Sequence, residues 1–281
     1  MTYAQEKNIG IDHALMFRLG MENEENCKEF LQRTLGITIT KLEFLDPEKS
    51  IEIDFASKGI RLDVYVEDEN GASYDIEMQV GQEKNELLGK SSRYYQSMMD
   101  AAALKKGQKY TLLRKSFVIF VCTYDPFDKD LYYYTFSNFC HQDKSLELQD
   151  SCAKIILNTK GKQGYISQEL KNLLDYIDKK VPNDEYTGTL DSLVQMYKSD
   201  PKRSDLFMTY ENLAATFESI GEERGFAKGI EQGITQGKNE GRIENFIELL
   251  KDKVITLDYV RTSGKVTASE LEQIEAALAE N

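Results

Sequence analysis

Residues 59–80 carry the pattern that most restricts this chain: two runs of alternating polar and apolar residues separated by Asn70-Gly71. In the first run Leu62, Val64 and Val66 alternate with Arg61, Asp63 and Tyr65. In the second, Tyr74, Ile76, Met78 and Val80 alternate with Asp75, Glu77 and Gln79. Successive side chains of a strand point to opposite faces, so the pattern predicts a hairpin with a core under one face and carboxylates on the other.

The turn decides which residues meet, because a slip of one residue transfers a whole strand's side chains to the wrong face. A two-residue Asn70-Gly71 turn would set Asp63 opposite Met78, an acid and an apolar side chain on one face. A three-residue turn, Glu69-Asn70-Gly71, with Gly71 left-handed beside a bulge, restores agreement and sets Asp63 opposite Glu77. Cβ atoms of opposed residues lie roughly 4.5–5.5 Å apart, and like charges so placed are destabilising. The repulsion is offset by a raised pKa on one acid, by a cation such as Arg61, or by a divalent metal held between them. The bland alternative is a solvated polar face on an ordinary exposed strand.

Length and charge narrow the setting. With 281 residues and a 41% hydrophobic fraction, the chain can bury one large core or two modest ones. Cys27, Cys122, Cys140 and Cys152 are scattered without C-x-x-C spacing, and His13 and His141 stand far apart, which argues against a structural zinc site and for reduced thiols. The longest apolar run, 117–122, is too short to span a bilayer and no signal-peptide core opens the chain, so a cytoplasmic protein with no membrane partner is expected. A net charge of -13 argues against general nucleic-acid affinity over the whole surface. Residues 81–115 are the exception, with eight cations against three acids.

Residues 9–35 read as one or two helices with Asn23 as a cap. Residues 37–55, interrupted by Pro47, read as an edge strand or connection. A long helix is expected over 86–106, ended by Gly107, with Lys90 and Arg93 within one turn of each other. The apolar 116–123 follows that helix and suits a strand of a buried parallel or mixed sheet. Strands at 132–136 and 153–158 come next, then helices at 167–180, 190–198 and 206–220. The expected architecture is α/β, a mixed sheet flanked by helices and followed by a helical C-terminal region. Its expected divisions are a core over 1–165, a helical cover or second domain over 166–220, and a glycine-repeat and terminal-helix segment over 221–281.

Gly221, Gly225, Gly229, Gly233, Gly237 and Gly241 recur every fourth residue. Each helical glycine loses about 1 kcal/mol relative to alanine, so a helix here must pack closely or fray. A homodimer seam along Gly221 to Gly241 and a flexible tether are both open readings.

Two carboxylates on adjacent strands, a polar residue two positions after the second, and a basic helix behind them suit metal-assisted phosphodiester hydrolysis. Asp63, Glu77 and the Met78 carbonyl would be metal ligands. Such oxygen donors favour Mg2+ or Mn2+, Gln79 would orient water or a phosphate oxygen, and Lys90 and Arg93 would bind phosphate. Arg93 has a second reading, as a structural clamp on Glu77 or Asp63.

Residues 58–64 (KGIRLDV), 75–79 (DIEMQ), 93–96 (RYYQ), 107–110 and 12–17 (DHALMF) together resemble the recombination-promoting nuclease and putative transposase family of the PD-(D/E)XK superfamily, over about residues 9–200. The resemblance implies a restriction-endonuclease-like core, metal-dependent DNA cleavage linked to recombination or mobile elements, and metal binding by Asp63 and Glu77. It also implies an acid from the first helix, for which Asp12, Glu25 and Glu29 are the candidates. Gln79 departs from the superfamily's usual lysine. A catalytically silent binding or assembly protein on the same scaffold is the rival expectation, and RNA cleavage a third.

Overall fold

A computed structural model describes residues 1–45, 63–81, 85–104, 107–213, 215, 241 and 243–279. Arg61, the 58–62 part of the first motif, and Gly221 to Gly237 lie outside the described residues. Two compact units divide the chain, Met1–Tyr210 and Glu211–Asn281.

The first unit opens with a short helix α1 (Tyr3–Glu6), then α2 (Ala14–Met21) and α3 (Glu24–Leu35). Asn23 caps α3, its side chain accepting from the Asn26 N–H at 3.1 Å, and Gly36 ends it in the left-handed conformation that a Cβ disfavours. Strands β1 (Leu42–Phe44), β2 (Val64–Asp68) and β3 (Ser73–Gln79) follow, then α4 (Asn85–Ala103), β4 (Ser116–Cys122), β5 (Tyr133–Phe136), β6 (Cys152–Asn158), α5 (Gln168–Lys179) and α6 (Glu185–Ser199). Residues 201–213 are also helical.

The six strands form one mixed sheet in the order β1-β2-β3-β4-β6-β5. The three central strands, β3, β4 and β6, run parallel; β1, β2 and β5 pair antiparallel at the margins. Parallel strands need helical connections that cover both faces, and this sheet is covered on both. On one face Val64, Val66, Tyr74, Ile76, Met78, Ile119, Val121, Ile155 and Leu157 pack against side chains from α2, α3, α5 and α6. On the other, Val118, Phe120, Cys122, Ile156 and Tyr134 meet Leu88 and Met99 of α4. Tyr65 and Tyr95 border this second core, and Tyr95 stacks on Phe120 with ring centroids 6.2 Å apart.

The polar face of the hairpin is therefore roofed by α4, not an open solvated face. On the other side α5 and α6 add Leu170, Leu173, Tyr176, Tyr186 and Leu190 to the same core as the sheet, so residue 165 marks no boundary between compact units. Arg33 ties α3 to α6 by its ion pair with Asp184 at 2.6 Å, stacking on Tyr186 at 4.6 Å.

In the second unit, residues 243–251 are helical and are followed by helices Leu257–Thr262 and Ala268–Ala279. Arg261 and Glu275 join the last two at 2.7 Å.

Candidate active site

The hairpin turn is the three-residue form. The Asp68 N–H donates to the Ala72 carbonyl at 3.0 Å, the Gly71 N–H donates to the Asp68 carbonyl at 3.0 Å, and Gly71 sits at φ +77°. The Asp68 carboxylate braces the turn, accepting from the Asn70 and Ala72 N–H groups and from the Tyr74 hydroxyl at 2.8–2.9 Å. The ladder pairs Val64 with Ile76 and Tyr65 with Asp75. One step further along, Asp63 faces Glu77.

Each of the two carboxylates accepts a backbone N–H from the opposite strand. The Asp63 N–H donates to Glu77 Oε1 at 2.9 Å, and the Met78 N–H donates to Asp63 Oδ2 at 3.3 Å. Both carboxylates therefore converge on the same stretch of ladder, with Asp63 half-buried and Glu77 only 7% exposed.

A third acid lies beside them. Asp75, two residues before Glu77 and on the same face, is 0% exposed, and neither of its oxygens meets a donor among the described residues. The reason is the parallel partner strand: Asp75 is in register with Val118 and Glu77 with Phe120, so both carboxyls open onto the second apolar core. Burial pushes the Asp75 carboxyl up to about 8, and the Asp63 charge adds to the rise. Burial likewise holds Glu77 well above the ordinary carboxylate range; the charges of Asp75 and Asp63 reinforce it, while the Asp63 N–H opposes it. Two carboxyls this close can hydrogen-bond each other only by holding a proton, so their titration belongs to the pair.

Gln79 ends β3 on the same face, half-buried, with its carbonyl accepting from the Thr123 N–H at 3.1 Å. Lys90 and Arg93 lie on the exposed side of α4, opposite the face that seats Leu88, Ser92, Gln96 and Met99. Arg93 pairs with neither Asp63 nor Glu77 among the described residues, so its clamp reading does not describe this arrangement. Gln96, from the 93–96 motif, instead anchors α4 by donating to the Ser116 hydroxyl at the start of β4.

The family model of the PD-(D/E)XK nuclease family transposases matches residues 14–179. The chain belongs to that family. No curated protein and no solved structure matches it. The matched segment runs from α2 through α5 and so contains every strand of the sheet and the whole acid-bearing hairpin. Membership supports a nuclease or mobile-element role for this PD-(D/E)XK protein, whose sheet and flanking helices fit such a fold.

The first-helix acids are engaged elsewhere. Asp12 pairs with Lys180 at 3.1 Å, Glu25 with Lys28 at 2.8 Å and Glu29 with Arg33 at 2.7 Å. All three belong to the helical layer on the other face of the sheet from Glu77, so none joins the acid group in this structure. The acid the sequence did not single out was Asp75. Its signal was present, since it shares the period-two register of Glu77 and Gln79.

Among the described residues no group of three or more His, Cys, Asp or Glu side chains is disposed to hold a metal. What Asp63 and Glu77 offer a cation is a pair of facing carboxylates. That suits Mg2+ better than Ca2+, because Mg2+ is held by one or two carboxylates with water and substrate oxygens completing its shell, whereas Ca2+ gathers six to eight ligands. No helix among the described residues is long and apolar enough to cross a membrane.

Proposed function

We propose that the chain is a divalent-metal-dependent DNA endonuclease that serves recombination or a mobile element, with Asp63, Glu77 and Gln79 as its cleavage site. The observation that carries this is the clasp of Asp63 and Glu77 across the β2–β3 ladder, which sets two carboxylates on one face beside the buried Asp75. Asp63, Glu77 and the Met78 carbonyl would hold Mg2+ or Mn2+. When bound, such a cation polarises a phosphoryl oxygen and makes water more acidic.

The chain's own groups do the rest. Asp63 and Glu77 would set where the cation sits along β3, since ionised carboxylates alone repel a phosphate. Gln79 orients the attacking water or a non-bridging oxygen through its amide, which donates hydrogen bonds but brings no charge. Charge developing on the phosphate then calls on Lys90 and Arg93 of α4, a role open to exposed cations on a helix that packs over the site's own face of the sheet.

The test is digestion of supercoiled, linear and single-stranded DNA with Mg2+ or Mn2+ by the wild type beside Asp63→Ala and Glu77→Gln. The wild type should nick plasmid DNA, and both variants should lose at least about 100-fold while keeping their circular dichroism. Undiminished cleavage by both variants refutes the assignment. Gln79 favours a second reading, a binding or assembly protein that keeps the scaffold without cutting, and a wild type that binds DNA but leaves it intact with every divalent metal would establish it.

A further inference from the structure

Residues 107–115, which join α4 to β4, bring three exposed cations together on one short loop. Lys109, Arg114 and Lys115 are exposed and make no ion pair among the described residues. Several lysines elsewhere are paired: Lys28 with Glu25, Lys160 with Asp178, Lys179 with Asp175 and Lys180 with Asp12. Between the three cations a single 3-10 turn, Tyr110–Leu112, holds Tyr110 at 82% exposure and Leu112 at 50%. An aromatic ring and an aliphatic side chain held out beside three unpaired cations have no role in the core of this unit.

The surroundings give the cations a direction. Arg114 stands between two hollows. The one on the α4 side, about 440 Å3, is acidic, with Glu67, Glu69 and Asp100 in its lining. The other, about 510 Å3, is lined by Arg114, Lys115, Tyr74, Phe117 and Ser151, with Asp68 its one acid. The Asp68 carboxylate is held by two N–H groups and the Tyr74 hydroxyl, which leaves Arg114 and Lys115 without an acidic partner there. An anionic polymer is therefore repelled from the first hollow and drawn to the second.

We propose that the 107–115 loop is a second DNA-contact element, with Lys109, Arg114 and Lys115 binding consecutive phosphates and Tyr110 stacking on a base. It rests on the nuclease reading only for the choice of DNA as the polymer. Ser116 is in register with Ser73, four residues from Glu77 on β3, so the loop ends about 13 Å along the strand from the cleavage acids. That is about four base pairs of axial rise, within the footprint of one bound duplex. The loop thus fixes where a strand lies without taking part in its hydrolysis.

The experiment is fluorescence anisotropy of labelled duplex and single-stranded 30-mers with the full chain in EDTA, so that no cutting occurs, over a salt series. Each phosphate contact contributes about 0.9 to the slope of log K against log salt for duplex and about 0.7 for single strands. Lys109→Ala/Arg114→Ala/Lys115→Ala should therefore flatten the slope by roughly 2 to 3. Tyr110→Ala should weaken single-strand binding roughly 10-fold and leave the slope unchanged. All four side chains are exposed, so the variants should unfold at the wild-type temperature. Equal slopes for wild type and triple variant overturn the proposal, as does a wild type that binds neither DNA at low salt. Loop-dependent binding by a protein that never cuts would overturn the nuclease reading and leave the loop's role standing; cutting with loop-independent binding would do the reverse.

Discussion

Replacing Asp75 by asparagine tests the electrostatics of the acid group without touching the residues proposed to bind metal. The Asp75 carboxyl is raised from about 3.9 in an unfolded chain to about 8 by burial beside Val118, with the Asp63 charge adding to it. A raised acid binds more protons when folded, so its cost is absent below the unfolded pKa and grows as pH rises toward 8. Between pH 5 and pH 8 the wild type without metal should lose roughly 4 kcal/mol of unfolding free energy through this group alone. Asparagine keeps the shape, carries no charge, and can donate to the Glu77 carboxylate. The variant's stability should therefore fall less steeply, by about one proton's worth of slope, or about 1.4 kcal/mol per pH unit. Glu77 remains buried and raised, so some slope persists. Urea unfolding at pH 5, 6, 7 and 8 in EDTA measures the difference. Parallel pH profiles for the two proteins would refute the claim that Asp75 is held protonated by its surroundings.

The same acid group should make Mg2+ a stabiliser: at pH 8, Mg2+ at 100 times its Kd should add about 2.7 kcal/mol of stability, and Asp63→Asn or Glu77→Gln should remove that gain, as read by thermal unfolding with and without EDTA. Asp184 caps α6 and pairs with Arg33, and those interactions hold its carboxyl near 2 against the effect of burial; its stabilisation is present above the unfolded pKa and lost as pH falls through about 2. Asp184→Ala should accordingly cost about 2 kcal/mol at pH 7 by urea titration, and an unchanged midpoint would show the α3–α6 tie to be inert. Gly71→Ala places a Cβ at φ +77° and 3.3 Å from Arg114 Cγ, which should cost about 1 kcal/mol and leave the turn length unchanged; a stabilised variant would contradict the left-handed turn.

What could be read from the sequence was what is local. The length of the 69–71 turn followed from requiring Asp63 and Glu77 to share a face, and the Asn23 cap and the strands near 116–123, 132–136 and 153–158 followed from short-range pattern. What could not be read was what covers the hairpin's polar face. An acid at every second position looks the same whether it faces water or a helix, and only the parallel pairing of β3 with β4 sets Asp75 and Glu77 beside Val118 and Phe120. Asp75 was passed over for that reason. Its charge state is decided by residues more than 40 positions away, and a single sequence does not say which strands neighbour one another. The Arg33–Asp184 pair, 151 positions apart, was hidden in the same way, while the roles of Lys90 and Arg93 depend on where substrate lies.

The burial of the acid group also has a consequence for the missing lysine. In a site where protein cations already balance the carboxylates, replacing lysine by glutamine removes one charge of several. Among the described residues the charges that act on Glu77 are the acids Asp75 and Asp63, and burial adds to their effect. Gln79→Lys would place an ammonium on the face of β3 that carries Asp75 and Glu77. It should lower the pKa values of the acids and steepen binding of scissile phosphate, yet weaken Mg2+ through charge repulsion. Cleavage by Gln79→Lys should therefore require more Mg2+ than the wild type for half-maximal rate while reaching an equal or higher plateau. A variant with an unchanged metal requirement would place residue 79 outside the reach of the acids and remove it from the site.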